Sequence, residues 1–291
     1  MTRRGRPTRS WNNQIRNRAM PAPEFLPRTA LTQLLAVLTQ AGYRCVGPQV
    51  RDGAIVYDNL RDVQDLPRGV HDRQAPGVYR IETSASPRCF AWATGPQALK
   101  PLLFAPQETL WRAERDAQGG LRFVETAPVT EALAVIGVRA CDLAALRLHD
   151  QHFLAGTHPD PAYRARRASL LLIAVHCTHP ADTCFCASTG DGPRATHSFD
   201  IALSELDDGF LVQAGSDAGQ RIAALLPLVN ASAARQRAAE SEIENSVRVQ
   251  TRRLPSRNLR AALFENLEHP RWQQVANRCL SCGNCTSVCP T

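Results

Sequence analysis

The sequence predicts an α/β fold, with a mixed α+β body at the N-terminal side and a helical C-terminal segment that closes on a cysteine-rich loop. Two apolar runs, 132–138 ("ALAVIGV") and 168–177 ("ASLLLIAVHC"), have the composition of strands buried on both faces. Between them, 141–154 ("CDLAALRLHDQHFL") reads as an amphipathic helix with an acid in its first turn. Strand, helix and strand in that order argue for parallel pairing. In such sheets ligand groups gather at the carboxyl ends of the strands, where Cys141 and Cys177 fall.

The other elements follow in order. "FLPRTALTQLLAVLTQAGY" (25–43) predicts a helix with Leu31, Leu34, Leu35 and Leu38 on one face and Gly42 as its stop. "YRCVGP" (43–48) and "AIVYD" (54–58) predict strands joined by the turn "RDG" (51–53). Residues 61–77 are polar and rich in turn formers. "GVYRIE" (77–82) and "CFAWAT" (89–94) read as strands, and "PQALKPLLF" (96–104) as a short helix interrupted at Pro101. "ATHSFDIALSEL" (195–206) and "GFLVQAG" (209–215) predict an antiparallel pair around "DDG". Residues 216–268 are mostly helical, with alternating Arg and Glu on a face that is either solvated or docked on a partner subunit. "RWQQVANR" (271–278) is a short helix leading into the final cysteines.

The 291 residues carry 44% hydrophobic and 21% charged side chains, a globular composition. No apolar run approaches the ~18 residues of a membrane-spanning helix, and no apolar stretch follows the N-terminal arginines as it does in an export signal. A cytoplasmic protein without membrane contact is expected. The net charge of +7 arises almost wholly in residues 1–20, which hold six arginines and no acid, leaving 28 basic against 27 acidic residues. That leader is expected to be disordered, and Met20 is an alternative start. Nucleic-acid binding is not expected of the remainder. The expected organisation is a basic leader (1–20), an α/β domain (21–215) and a helical segment (216–291).

Ten cysteines without an export signal point to metal or redox chemistry, not to disulfides. Cys45 and Cys89 stand alone and read as small buried hydrophobes. "RCLSCGNCTSVCPT" (278–291) places Cys279, Cys282, Cys285 and Cys289 in the spacing C-x2-C-x2-C-x3-C-P, the bacterial ferredoxin run for a [4Fe–4S] cluster. A cube of iron and sulfide takes one thiolate at each iron, and a tight loop can wrap three corners. Gly283 lets the backbone approach, and Pro290 turns the chain away. The segment therefore predicts the start of an α-helical ferredoxin-like [4Fe–4S] domain. Zinc is the alternative, although structural zinc sites usually use two separated CxxC pairs. In two-cluster ferredoxins the fourth cysteine of the run serves the other cluster. Cys289 thus asks for further thiolates, unless all four hold one cluster.

"VRACD" (138–142) and "HCTHPADTCFC" (176–186) supply Cys141, Cys177, Cys184 and Cys186, the number for a second [4Fe–4S] cluster. Cys141 opens a helix, where the dipole favours thiolate. The alternatives are a redox pair at Cys184 and Cys186, zinc with His176 or His179, or Cys141 and Cys177 as core residues. No G-x-S-x-G, Walker A or G-x-G-x-x-G motif is present, so hydrolysis and dinucleotide binding by this chain are not expected. No catalytic residue is needed for outer-sphere electron transfer. The competing class is a zinc- or cluster-stabilised binding or regulatory protein without redox turnover.

These segments, together with "FLPRTALTQLLAVL", "CFAWATGPQALKPLLFAPQETLW", "GVRACDLAAL", "HCTHPADTCFCASTGDGP" and "FDIALSEL", resemble the iron–sulfur β subunit of cytoplasmic nickel–iron (sulfhydrogenase-type) hydrogenases. They are also similar to the A-type iron–sulfur subunit of anaerobic sulfite reductase. The resemblance covers about residues 22–291. It implies a non-catalytic subunit that relays electrons between a flavin/NAD(P)-binding subunit and a catalytic hydrogenase or sulfite reductase subunit. Family members continue past the counterpart of "CPT" with further cysteines and a second ferredoxin run. A truncated, frame-shifted or split reading frame is therefore the expectation here.

Overall fold

The structure, a computed structural model, describes residues 23–95 and 99–291. The basic leader and the first residues of the 96–104 helix lie outside the described residues. In chain order the elements are β1 (Glu24–Pro27), α1 (Leu31–Gln40), β2 (Arg44–Arg51), β3 (Ala54–Asn59), β4 (Val70–Ala75), β5 (Val78–Thr83), α2 (Lys100–Leu103), β6 (Trp111–Arg115) and β7 (Leu121–Glu125). Next come β8 (Leu133–Val138), α3 (Ala140–Leu154), α4 (Pro161–Ser169), β9 (Leu170–Val175), α5 (Cys186–Thr189), β10 (Ile201–Leu206) and β11 (Gly209–Ala214). The chain ends with α6 (Asp217–Ala223), β12 (Val229–Asn230), α7 (Ala233–Arg248), α8 (Leu259–Phe264), α9 (Arg271–Ala276) and α10 (Asn284–Val288).

Eight strands form one sheet in the order β12-β1-β11-β10-β9-β8-β2-β3. The four central strands are parallel: β9 pairs with both β8 and β10, and β8 also pairs with β2. The outer strands are antiparallel. Every residue of β8 and β9 is buried, as their unbroken apolar composition requires. Their side chains alternate between two cores. Ile136, Leu171, Ile173 and Val175 face α1 through Leu31, Leu34, Leu35 and Leu38. Leu133, Val135, Leu170 and Leu172 face α3 and α4 through Leu143, Leu146 and Tyr163. The sheet is thus the middle of three layers. The β2–β3 turn places Asp52 and Gly53 at φ 51° and 73°, the left-handed pair that a two-residue hairpin turn needs.

Three sequence expectations need correction. Residues 24–27, grouped with the first helix, form β1 and pair with β11; Pro27 ends the strand before the helix begins. Within 61–77, residues 70–75 form β4, which pairs with β5. Residues 89–94 are irregular, not a strand, because side chains and not a neighbouring strand satisfy their backbone. Glu205 accepts the N–H groups of Cys89 and Phe90 at 2.7 and 2.8 Å, and Asp72 accepts that of Ala93 at 2.7 Å. Helix α4, the β6–β7 hairpin and α10 are additional to the elements expected from sequence. Helix α7 buries Ala239 against Phe25, Leu206 and Leu211, so this part of the 216–291 segment packs on the sheet.

Glu205 is 3% exposed and also bonds Arg28 at 3.0 Å. Glu205→Ala leaves two buried N–H groups without acceptors, at about 1–3 kcal/mol each. A loss of about 3 kcal/mol in urea unfolding is expected, and a loss under about 1 kcal/mol would show that the 89–94 segment is held by other means.

Candidate metal centre

Strand β8 ends at Val138 and β9 at Val175, side by side at the carboxyl edge of the sheet. At Gly137 (φ 92°) the β8–β9 register shifts by one residue. A Cβ there meets the Phe90 ring at 3.1 Å and Pro48 at 3.2 Å, so only glycine fits this bend. The bend launches Arg139 into the interior. Its side chain is 1% exposed. Nη2 donates to the carbonyls of Phe90 and Trp92 at 2.7 and 3.0 Å. Nη1 reaches those of Val175 and His176 at 3.4 Å, and the guanidinium lies 4.5 Å from the centre of the Trp92 ring. Asp142 caps α3 by accepting the Arg139 N–H at 3.0 Å. Burial raises the Asp142 carboxyl to about 6, against the opposing pull of Arg139.

Cys141, Cys177, Cys184 and Cys186 line one cavity of about 690 Å³ above this edge. Three separate segments bring them there: the first turn of α3, the end of β9 and the loop into α5. The loop is pinned at several points. Cys177 N–H donates to the Pro193 carbonyl at 3.1 Å, and Asp182 N–H to that of Gln74 in β4 at 3.1 Å. The Cys186 thiol and the Ala187 N–H both meet Gln250 Oε1, at 3.6 and 3.2 Å, which ties the loop to the end of α7. Thr94 Oγ1 lies 3.7 Å from Cys141 Sγ.

Cys141 opens onto the cavity yet is enclosed by protein, and this desolvation raises its thiol well above the ordinary value. The Asp142 charge and the neighbouring thiols Cys177 and Cys186 add to the rise. Burial raises Cys184 to about 11 and also raises Cys186. Four thiols crowded in an apolar space cannot all ionise without a cation to meet them. Cys45 and Cys89, by contrast, are buried in the core as the sequence predicts. None of the ten cysteines forms a disulfide.

The ferredoxin-type run occupies the loop after α9 and the helix α10. Cys279, Cys282 and Cys285 are exposed, whereas Cys289 is half-buried. Ser281 and Gly283 adopt left-handed φ values of 54° and 74°, and Ser281 N–H donates to Cys279 Sγ at 3.3 Å. A tight loop that turns its N–H groups towards sulfur suits the donor set for an iron–sulfur cluster. The Thr291 hydroxyl, 3.1 Å from Cys289 Sγ, lowers that thiol, with the Thr291 N–H and Lys100 assisting. Val288, Cys289 and Pro290 form part of the wall of the cavity that holds the other four cysteines.

Neither histidine offered as a zinc ligand lines that cavity. His176 is buried with Nδ1 accepting the Ala195 N–H at 3.1 Å, and burial lowers its ring to about 4. His179 meets the Asp72 carbonyl at 2.8 Å. Among the described residues, no group of three His, Cys, Asp or Glu side chains is drawn together to close on a single ion. Arg139, Thr94, Gln250 and Lys100 escape a reading of the sequence alone. Only Arg139 carries a signal there, as a lone charge between an apolar strand and Cys141.

Comparison with known proteins agrees with this geometry. Residues 244–291 match the family model of the 4Fe-4S dicluster domain, which supports [4Fe–4S] binding by this chain. The chain is also 32% identical over 164 residues to "Sulfhydrogenase 2 subunit beta" of Pyrococcus furiosus. The chain resembles an iron–sulfur hydrogenase β-type subunit. The match covers 54% of this chain and 47% of the relative, so the chain spans about half the length of the curated relative it matches. No solved structure matches. Among the described residues, no helix is long and apolar enough to cross a membrane.

Arg139→Lys keeps the charge but cannot reach four carbonyls on two segments. It is expected to lower unfolding free energy by about 2–4 kcal/mol. It is also expected to expose the Trp92 indole, read as a red shift and easier quenching of tryptophan fluorescence; wild-type fluorescence and stability would contradict the assigned role.

Proposed function

We propose that this chain is an iron–sulfur electron-transfer subunit in which Cys279, Cys282, Cys285 and Cys289 hold one [4Fe–4S] cluster. Cys141, Cys177, Cys184 and Cys186 hold a second. The observation that carries the reading is the convergence of four thiols from three segments on one cavity whose wall includes Cys289. Tetrahedral zinc at ~2.3 Å from sulfur draws thiolates to ~3.8 Å from one another. Four donors spread around a larger space suit a cluster with one thiolate for each iron. A bound [4Fe–4S] cluster supplies one-electron chemistry with little change of geometry.

The protein's own residues hold and shield these donors. Arg139 fixes the two segments that frame the cavity, and Thr94 offers a hydroxyl to Cys141. Leu99, Leu103 and Leu146 make the wall apolar, which limits water and so tunes a redox potential. Exposed Phe264, Leu267, Trp272, Val275 and Leu280 on the C-terminal segment are consistent with a protein whose surface is covered in an assembly. The partners in this reading are a flavin/NAD(P)-binding reductase subunit and a catalytic hydrogenase or sulfite reductase subunit, in the cytoplasm. The matched relative's name, a sulfhydrogenase β subunit, favours the hydrogenase side.

Iron and acid-labile sulfide per chain test the assignment. Anaerobic wild type is expected to hold about eight of each, and both Cys141→Ser and Cys282→Ser about four. About four in wild type, unchanged by Cys141→Ser, would remove the upstream cluster; zinc in place of iron would favour a binding protein without redox turnover.

A further inference from the structure

Lys100 is the one lysine among the 34 Lys and Arg residues of the chain. It opens α2 and lines the cavity that holds the four upstream cysteines. Its Nζ lies 3.2 Å from each of three carbonyls of the C-terminal segment, those of Thr286, Cys289 and Thr291. Beside it, His149 Nε2 meets the Pro290 carbonyl at 2.9 Å. The imidazole is held by the rings of Phe104, Phe153 and Tyr163. Four carbonyls within 286–291 are therefore addressed from the α/β body by two side chains.

The residue type fits the task. An ammonium carries three donors on one nitrogen and can serve three converging acceptors, whereas a guanidinium spreads its donors in a planar fork that matches carboxylates. Arginine fills every other basic position in this chain, including those paired with Glu242 and Asp208 in fork geometry. Lysine stands where a tripod of carbonyls converges. These contacts are also made to the backbone of the segment that carries Cys285 and Cys289, between that loop and the cavity. The remainder of 279–288 is exposed, so few other contacts fix it.

We propose that Lys100, seconded by His149, is the positioning residue that docks the C-terminal cysteine loop on the mouth of the upstream cavity and so keeps the two metal centres together as one unit. This rests on the two-centre reading above. The loop's place is set from its backbone, so any side chain between its cysteines is compatible with docking.

The test compares the anaerobic full-length chain with Lys100→Met and Lys100→Arg, with iron measured on each. Both variants are expected to keep wild-type iron. Both are expected to lose the spin–spin broadening that two nearby reduced clusters give in the paramagnetic resonance spectrum after dithionite. Amide exchange across 284–291 is expected to become about tenfold faster in both. Full iron with wild-type broadening and exchange in Lys100→Met overturns the proposal and leaves the two-centre reading standing. A wild-type spectrum restored by Lys100→Arg shows that charge alone suffices and overturns the tripod. A wild type holding one cluster or none sinks the two-centre reading instead, and the exchange rates then decide by themselves whether Lys100 docks the loop.

Discussion

The guanidinium of Arg139 lies inside the protein among four backbone carbonyls, with the Trp92 ring 4.5 Å from it. A buried charge of this kind is stable only when its hydrogens are satisfied. The satisfaction comes from two stretches that have no other reason to meet: the irregular 89–94 segment and the end of β9. Each stretch gives up carbonyls that a strand ladder would otherwise use. The acceptors therefore fix the positions of Thr94, Cys141 and Cys177 relative to one another, since Arg139 is two residues from Cys141. Asp142 closes the same knot by capping the helix on which Cys141 sits. The cavity of the four cysteines is a consequence of that arrangement.

Glu205 plays the complementary part on the opposite side of the 89–94 segment, accepting the N–H groups of Cys89 and Phe90. An acid on β10 and a base after β8 thus hold one irregular stretch by its donors and its acceptors. Parallel strands bring these residues into range, because β8, β9 and β10 end near one level. The sheet supplies rigidity, and the charged side chains convert it into a shaped mouth. The C-terminal loop closes that mouth through Lys100 and His149, which contact its backbone carbonyls.

Much of this could be read from the chain before any fold was known. Leu31, Leu34, Leu35 and Leu38 announce α1 by their spacing, and they are buried together. The unbroken apolar runs announce parallel central strands, and their carboxyl ends locate Cys141 and Cys177. The ferredoxin spacing announces the terminal metal site through the geometry of thiolates on a short loop. What stayed hidden depends on pairings distant in sequence. The 89–94 stretch has strand-like side chains, but Glu205 takes its N–H groups from 115 and 116 residues away. The convergence of Cys184 and Cys186 on Cys141 depends on Gln250 and on the Gln74 carbonyl, polar groups whose local sequence carries no mark of the task. Lys100 reads as an ordinary helix charge until its three acceptors are seen.

The central claim is that the four upstream thiols share one bound object. Mass-mapped alkylation of the full-length chain tests it directly, with anaerobic protein treated by iodoacetamide before and after removal of iron by chelation. Cys141, Cys177, Cys184 and Cys186 are expected to be protected together before chelation and labelled together after it, while Cys45 and Cys89 stay protected in the folded chain throughout. Equal labelling of the four in both states, with Cys279, Cys282 and Cys285 alone responding to chelation, would contradict the account.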